Sequence, residues 1–205
     1  MRRALTINEI RQYNPTVIPF DGQWLASIGA PELTGSWLIW GNSGNGKTRF
    51  ALQLAKYLCK FRKVAYNSLE EGLSLSMQRA IDEVGFSDAE TKRNFVLLDK
   101  EPIKELIVRL KKQRSPQVII IDSLQYTGLT YNEYKTLRDT FSNKLFIFIS
   151  HADGKEPKGN VATEVKYDAF VKVYVEGYKA MPQSRYGGGE PYTIWQRGAD
   201  KYWNQ

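Results

Sequence analysis

The sequence predicts an α/β domain: a mostly parallel central sheet with helices on both faces and a C-terminal antiparallel hairpin extension. Three observations predict it. Short apolar runs alternate with amphipathic helical patterns between Ser36 and Ser150, as crossover-connected parallel strands require. The run from Val118 to Asp122 is apolar until its final acid, as a strand buried on both faces would be. A glycine-rich loop separates the first apolar run from the first helical pattern, the setting in which such sheets hold phosphate.

Residues 1–30 carry Pro15, Pro19, Gly22 and Gly29 with little periodicity, and read as an irregular lead-in covering the sheet. Residues 31–205 read as one domain. Trp37 to Trp40 form the first strand. After the loop, Phe50, Leu54 and Leu58 fall at i, i+4 and i+8 of a helix, with Ala51, Ala55 and Cys59 beside them. Arg49, Gln53, Lys56 and Lys60 occupy its other face. Lys63 to Ser68 is the second strand. A helix follows from about Ser74 to Val84, with Leu75, Met77, Ala80, Ile81 and Val84 inward.

Phe95 to Leu98 is a third strand, and Ile103 to Leu110 a helix buried through Ile103, Leu106, Ile107 and Leu110. The strand Gln117–Asp122, a helix around Glu133–Phe141 and the strand Leu145–Ser150 complete the alternation. Ala169–Ala180 and Tyr192–Trp203 then read as strands joined through Ser184–Gly189, the antiparallel extension.

Composition bounds the possibilities. The chain has 205 residues, 42% of them hydrophobic, enough for one compact domain. No stretch is long and apolar enough to span a membrane, and the opening residues lack a signal-peptide core. One cysteine and one histidine make neither an internal disulfide nor a zinc site, so a reducing cytoplasm is expected. Cys59, on an apolar helix stripe, reads as a buried structural thiol. The formal charge of +7 suits a polyanionic partner, although Lys104, Arg109, Lys111, Lys112 and Arg114 read as a solvated helix face and its exit.

The loop itself carries the chemistry. Gly41, Asn42, Ser43, Gly44, Asn45, Gly46, Lys47 and Thr48 match G-x-x-x-x-G-K-S/T. Glycines let successive backbone N–H groups turn inward around an anion, and the following helix adds positive potential. Lys47 then reaches the β- and γ-phosphates of ATP, and the Thr48 hydroxyl holds Mg²⁺. Asp122 ends a strand on the metal side of this cradle. Glu70 and Glu71 follow the second strand, where one carboxylate can orient the attacking water; both also suit the start of a helix.

With these residues in place, the chain resembles the RecA-type ATPase core. The resemblance rests on Gly41–Thr48, Ser68–Glu70, Ile120–Gln125 and Ile147–His151, and covers nearly everything from about residue 30. It is nearest the branch of DnaB-like helicases, KaiC-like ATPases and compact phage recombination ATPases. The resemblance implies a RecA-like P-loop fold with Glu70 as catalytic glutamate and Asp122 as metal-side aspartate. It also implies a γ-phosphate sensor at the end of the next strand, where His151 stands in place of the usual glutamine; a capping histidine is the other reading. The loops Gln125–Asn132 and Asp153–Val165 match those that face DNA in RecA-type rings and filaments. The second brings Lys155 and Lys158, and the first Tyr126 and Tyr131. A basic finger offered to the neighbouring subunit falls on Lys179 or Arg185, which equally suit solvated turn charges.

The resemblance thus implies Mg-dependent ATP hydrolysis by a homo-oligomeric ring or filament acting on DNA in recombination, repair or replication, with single-stranded DNA as partner. The alternative is a KaiC-like regulatory ATPase without DNA. A small-molecule kinase would need an arginine-rich lid, which the sequence before the late hairpin lacks. A non-catalytic nucleotide-dependent scaffold would bind ATP with little turnover.

Overall fold

The structure, a computed structural model, describes residues 3–204; Met1 and Arg2 of the expected lead-in and Gln205 lie outside it. Five parallel strands form the centre: β1 (Gly35–Gly41), β2 (Val64–Ser68), β3 (Phe95–Asp99), β4 (Val118–Asp122) and β5 (Leu145–Asp153). A two-residue strand, β6 (Glu156–Pro157), folds back antiparallel on the end of β5. β7 (Val171–Glu176) continues the sheet parallel to β1, followed by antiparallel β8 (Lys179–Ser184) and β9 (Tyr192–Thr193). The spatial order is β3-β2-β4-β5-β1-β7-β8-β9. The chain leaves β1 towards one edge and returns through β4 and β5. The β1–β5 junction is therefore a switch point, where open α/β sheets place their ligands.

Alternation along the strands divides the interior in two. Trp37, Ile39, Tyr66, Ile120 and Ile147 face one side, with α3 (Lys47–Leu58) and α4 (Leu75–Val84). Leu38, Trp40, Ile119, Ile121 and Phe148 face the other, with α6 (Ile103–Leu110), α7 (Tyr131–Thr140) and α8 (Asn160–Asp168). The expected mostly parallel sheet with helices on both faces is what the chain forms.

Three expectations need correction. The lead-in 1–30 is not irregular: α1 (Ile7–Gln12) is closed by a Thr6–Glu9 capping box, and α2 (Gly22–Ile28) packs inward. Ile18, Phe20, Trp24 and Ile28 are core residues, with Trp24 stacked on Tyr57 and Tyr192. Aromatic burial here replaces the periodicity that short helices cannot display. Leu75 is not inward but 61% exposed, because it opens α4 just past its Ser74 cap, ahead of the turn that meets α3.

The third correction concerns the late hairpin. Its turn is Gly177-Tyr178, not Ser184–Gly189, and Gln196–Trp203 is a helix, α9, rather than a strand. Both of those turn residues take positive φ, at 51° and 59°. A tyrosine there hides the turn from sequence reading, since that conformation favours glycine. Two further helices were missed altogether: α5 (Ala89–Asn94), capped by Asp88, and α8 (Asn160–Asp168), which with β6 takes up much of the segment Asp153–Val165 expected to be a loop.

Candidate active site

The cleft lies at the carboxyl ends of β1, β2, β4 and β5, and encloses about 310 Å³. Ser43, Gly44, Gly46, Lys47 and Thr48 form one wall, and Glu70, Glu71, Asp122, Ser123 and His151 the other. Of the residues expected from the sequence, Ser43, Gly44, Gly46, Lys47, Thr48, Glu70, Asp122 and His151 are brought together here; Gly41, Asn42 and Asn45 of the same loop, and Lys179 and Arg185, do not line the cleft.

The cradle is shaped by close backbone approaches. A Cβ on Gly41 would stand 2.1 Å from the Val175 carbonyl oxygen of β7, so only glycine admits the neighbouring strand. Gly46 caps α3 at φ 98°, a left-handed conformation costly to residues with a Cβ. Asn45 fastens the loop to the late hairpin: its Oδ1 accepts the Gly177 N–H at 2.7 Å, and its own carbonyl accepts the Tyr178 N–H at 3.2 Å. The Tyr178 ring lines the cleft beside Gly46. Sequence reasoning missed both Tyr178 and the Asn45 clamp, because no motif marks a contact 132 positions apart.

Lys47 donates from Nζ to the Asn42 carbonyl at 3.0 Å, across the glycine-rich loop. Burial pulls its pKa down, opposed by the nearby Asp122 and Glu70 carboxylates. Asp122 is buried, accepts a hydrogen bond from the Tyr66 hydroxyl at 2.5 Å, and has its pKa pushed up to about 6. Burial is the main cause; Glu70 and Glu71 add to it, and Tyr66 and Lys47 oppose it.

The two adjacent acids differ in what they touch. Glu70 Oε2 lies 3.0 Å from His151 Nε2 across the cleft. Glu71 Oε2 instead accepts from the hydroxyls of Ser74, at 3.3 Å, and Ser76, at 3.0 Å, at the start of α4. His151 is not a capping residue in its side chain, which faces Glu70. Its backbone N–H donates to Gln125 Oε1 at 3.2 Å. Gln125 Nε2 reaches both Ser150 Oγ and the Lys158 carbonyl, each at 2.8 Å. Gln125 therefore joins both expected DNA-facing loops to the strand that ends in His151.

Lys179 and Arg185 stand apart. They lie at opposite ends of β8, about 20 Å apart at the usual rise per residue. Lys179 is on the cleft end, with Nζ 5.5 Å from the Trp203 ring; Arg185 packs over Phe170 near the start of β7. They cannot both serve one phosphate.

The donor set fits Mg²⁺. Among the described residues no three His, Cys, Asp or Glu side chains gather into a metal cage. Mg²⁺ needs none: it keeps several waters and takes one or two protein oxygens plus substrate phosphates. Thr48 and Asp122 would supply those oxygens, and the buried Ser123 Oγ, without a partner in the same cleft, could hold a ligand water. Cys59 is buried, and burial raises its thiol to about 12, as a structural role requires.

Fold and cleft together define a domain of RecA-like P-loop architecture. By sequence, the chain matches no family model and no curated protein. By structure it is similar to a KaiC-like protein of the hyperthermophilic archaeon Pyrococcus horikoshii, with 17% identity and a TM-score of 0.59 over 80% of this chain and 86% of that one. It is also similar to the flagellar accessory protein FlaH of Methanocaldococcus jannaschii, with 14% identity and a TM-score of 0.63 over 89% of this chain and 96% of that one. These likenesses establish the fold. Among the described residues no helix is long and apolar enough to cross a membrane.

Proposed function

We propose that this chain is a Mg-dependent ATPase of RecA type that acts on single-stranded DNA in recombination, repair or replication and works as a homo-oligomer. The observation that carries the chemistry is the convergence of Lys47, Thr48, Asp122, Glu70 and His151 on one cleft at the switch point of the sheet. The Gly41–Thr48 backbone and Lys47 bind the triphosphate. Thr48 and Asp122 would hold Mg²⁺, which when bound would supply positive charge to offset that of the triphosphate. Glu70, rather than Glu71, orients the attacking water and takes its proton, since Glu71 is held by α4. His151, 3.0 Å from Glu70 at Nε2, is placed to donate to the γ-phosphate. Lys179, on the cleft end of β8, is the better placed of the two late basic residues to act on a neighbour's site.

The DNA reading rests on the charge of +7, and on Lys155 and Lys158 in a loop tied to His151 through Gln125. A second reading, a KaiC-like regulator without DNA, is favoured by the shortness of the first loop, which closes as a single 3-10 turn at Leu124–Tyr126. ATP turnover measured with and without single-stranded DNA at two salt concentrations tests both. Stimulation that weakens with salt supports the first reading; turnover indifferent to DNA supports the second. No turnover in either condition would overturn the ATPase assignment.

A further inference from the structure

Tyr66 is fully buried in the layer of α3 and α4, on a strand paired on both sides, with β3 and with β4. A buried tyrosine hydroxyl needs an acceptor, and the pairing register decides which one it finds. Tyr66 lies opposite Ile120, so Asp122 stands two residues further along the neighbouring strand, about 7 Å towards the cleft. A tyrosine side chain that leans along its own strand covers that distance. Its hydroxyl donates to Asp122 Oδ2 at 2.5 Å. The carboxylate is therefore held by a partner that is itself locked in the core.

The two oxygens of Asp122 are thus unequal. Asp122 lines the cleft and Tyr66 does not. Among the described residues no donor holds Oδ1, which is left for the cleft. The backbone is fixed as well: the Asp122 carbonyl accepts from the amides of Leu69, at 2.6 Å, and Glu70, at 3.2 Å. We infer that Tyr66 is a positioning residue for cation choice: by occupying Oδ2 it confines Asp122 to one oxygen towards a cation, and so selects Mg²⁺ over Ca²⁺. The selection follows from coordination chemistry. Mg²⁺ demands near-octahedral geometry, keeps several waters and is met by few protein oxygens, whereas Ca²⁺ takes a larger, looser set and often both oxygens of a carboxylate. A carboxylate with one oxygen tied suits the first ion and withholds a ligand from the second.

The inference rests on the proposed metal-side role of Asp122, and adds which oxygen serves and which cation is preferred. Tyr66 lies outside the cleft, so its effect passes through Asp122. A hydroxyl kept only for packing would alter stability without changing how the site ranks two cations.

The test is the affinity of the full chain for a non-hydrolysable ATP analogue, titrated by calorimetry in EDTA, in saturating Mg²⁺ and in saturating Ca²⁺. The ratio to the EDTA value is the gain each cation brings. In the wild type the Mg²⁺ gain should exceed the Ca²⁺ gain by about 10-fold. Tyr66→Phe removes one oxygen from the core, and its folding is checked by circular dichroism. It should lower the Mg²⁺ gain by about 10-fold, the usual scale for losing the partner of a metal ligand, while the Ca²⁺ gain and the affinity in EDTA stay within about 3-fold. In an Asp122→Asn background the same substitution should change neither gain. A wild type whose affinity ignores both cations would overturn the metal-side reading and the inference together. A wild type that gains equally from both cations would overturn the inference alone, and that ranking tests it even where Tyr66→Phe does not fold. So would a Tyr66→Phe protein that keeps the full Mg²⁺ gain, that loses both gains alike, or whose effect persists without the Asp122 carboxylate.

Discussion

Two carboxylates stand on the same wall of the cleft, Asp122 at the end of β4 and Glu70 just past β2, and they live in opposite surroundings. Asp122 is 8% exposed, hydrogen-bonded by Tyr66, and shifted up to about 6 by burial. Glu70 is a little over one-third exposed in its side chain and faces His151. A buried carboxylate wants a cation to offset its desolvation, whereas a wetter one can meet water and move a proton. The difference in environment is consistent with the proposed metal-side role of Asp122 and water-side role of Glu70.

The largest expected effect removes what the two acids share. Lys47→Ala takes away the cation that interacts with both, and should lower turnover by about 10³-fold or more with the fold intact. Undiminished hydrolysis in the purified variant would remove the P-loop assignment. Next, Glu70→Gln should slow turnover by about 10²-fold while Mg·ATP still binds, whereas Glu71→Gln should stay within about 3-fold. Single-turnover kinetics with a nucleotide-binding measurement separate the two; the reverse ranking would break the comparison.

A third prediction reads Asp122 through stability. Its folded pKa lies above the unfolded value, so the folded state holds the proton more tightly. Nucleotide-free protein should then lose stability as pH rises from about 4 to about 6 and change little above, by roughly 3 kcal/mol for this group. Asp122→Asn removes that loss, and should raise the melting temperature at pH 8 by about 5 °C or more while abolishing the added stability from Mg·ATP. A variant that melts below wild type at pH 8 would place the buried charge elsewhere. The smallest effect concerns the late basic pair. Lys179→Ala should reduce turnover only where the protein is concentrated enough to assemble, and Arg185→Ala, at the far end of β8, should leave it near wild type. Activity titrations over protein concentration decide this.

Much of this site was legible in the sequence because its parts are local. Gly41 to Thr48 specify the cradle by spacing, and the apolar run before Asp122 specifies a buried strand that delivers it. The residues alone left Glu70 and Glu71 open and only the family resemblance pointed to Glu70; what distinguishes them physically, the Ser74 and Ser76 hydroxyls on Glu71, is a contact that no linear pattern contains. Tyr178 was missed for a related reason. Its place over the loop follows from the β1–β7 register, which pairs Gly41 with Val175, and a linear pattern does not contain that pairing. The lead-in was misread because Phe20 and Trp24 act through ring contacts that leave no period. The position of Arg185 was misread because the hairpin turns earlier, at a non-glycine residue.

The Asn45 clamp has a consequence in exchange kinetics. The Gly177 amide proton is held by a side chain of the phosphate loop rather than by a strand partner, at a buried position. It exchanges with solvent only when the loop lets go, so its protection measures the opening free energy of the loop. Deuterium uptake at that one amide, followed as ATP is added, would show whether nucleotide tightens a loop already closed or closes one that breathes.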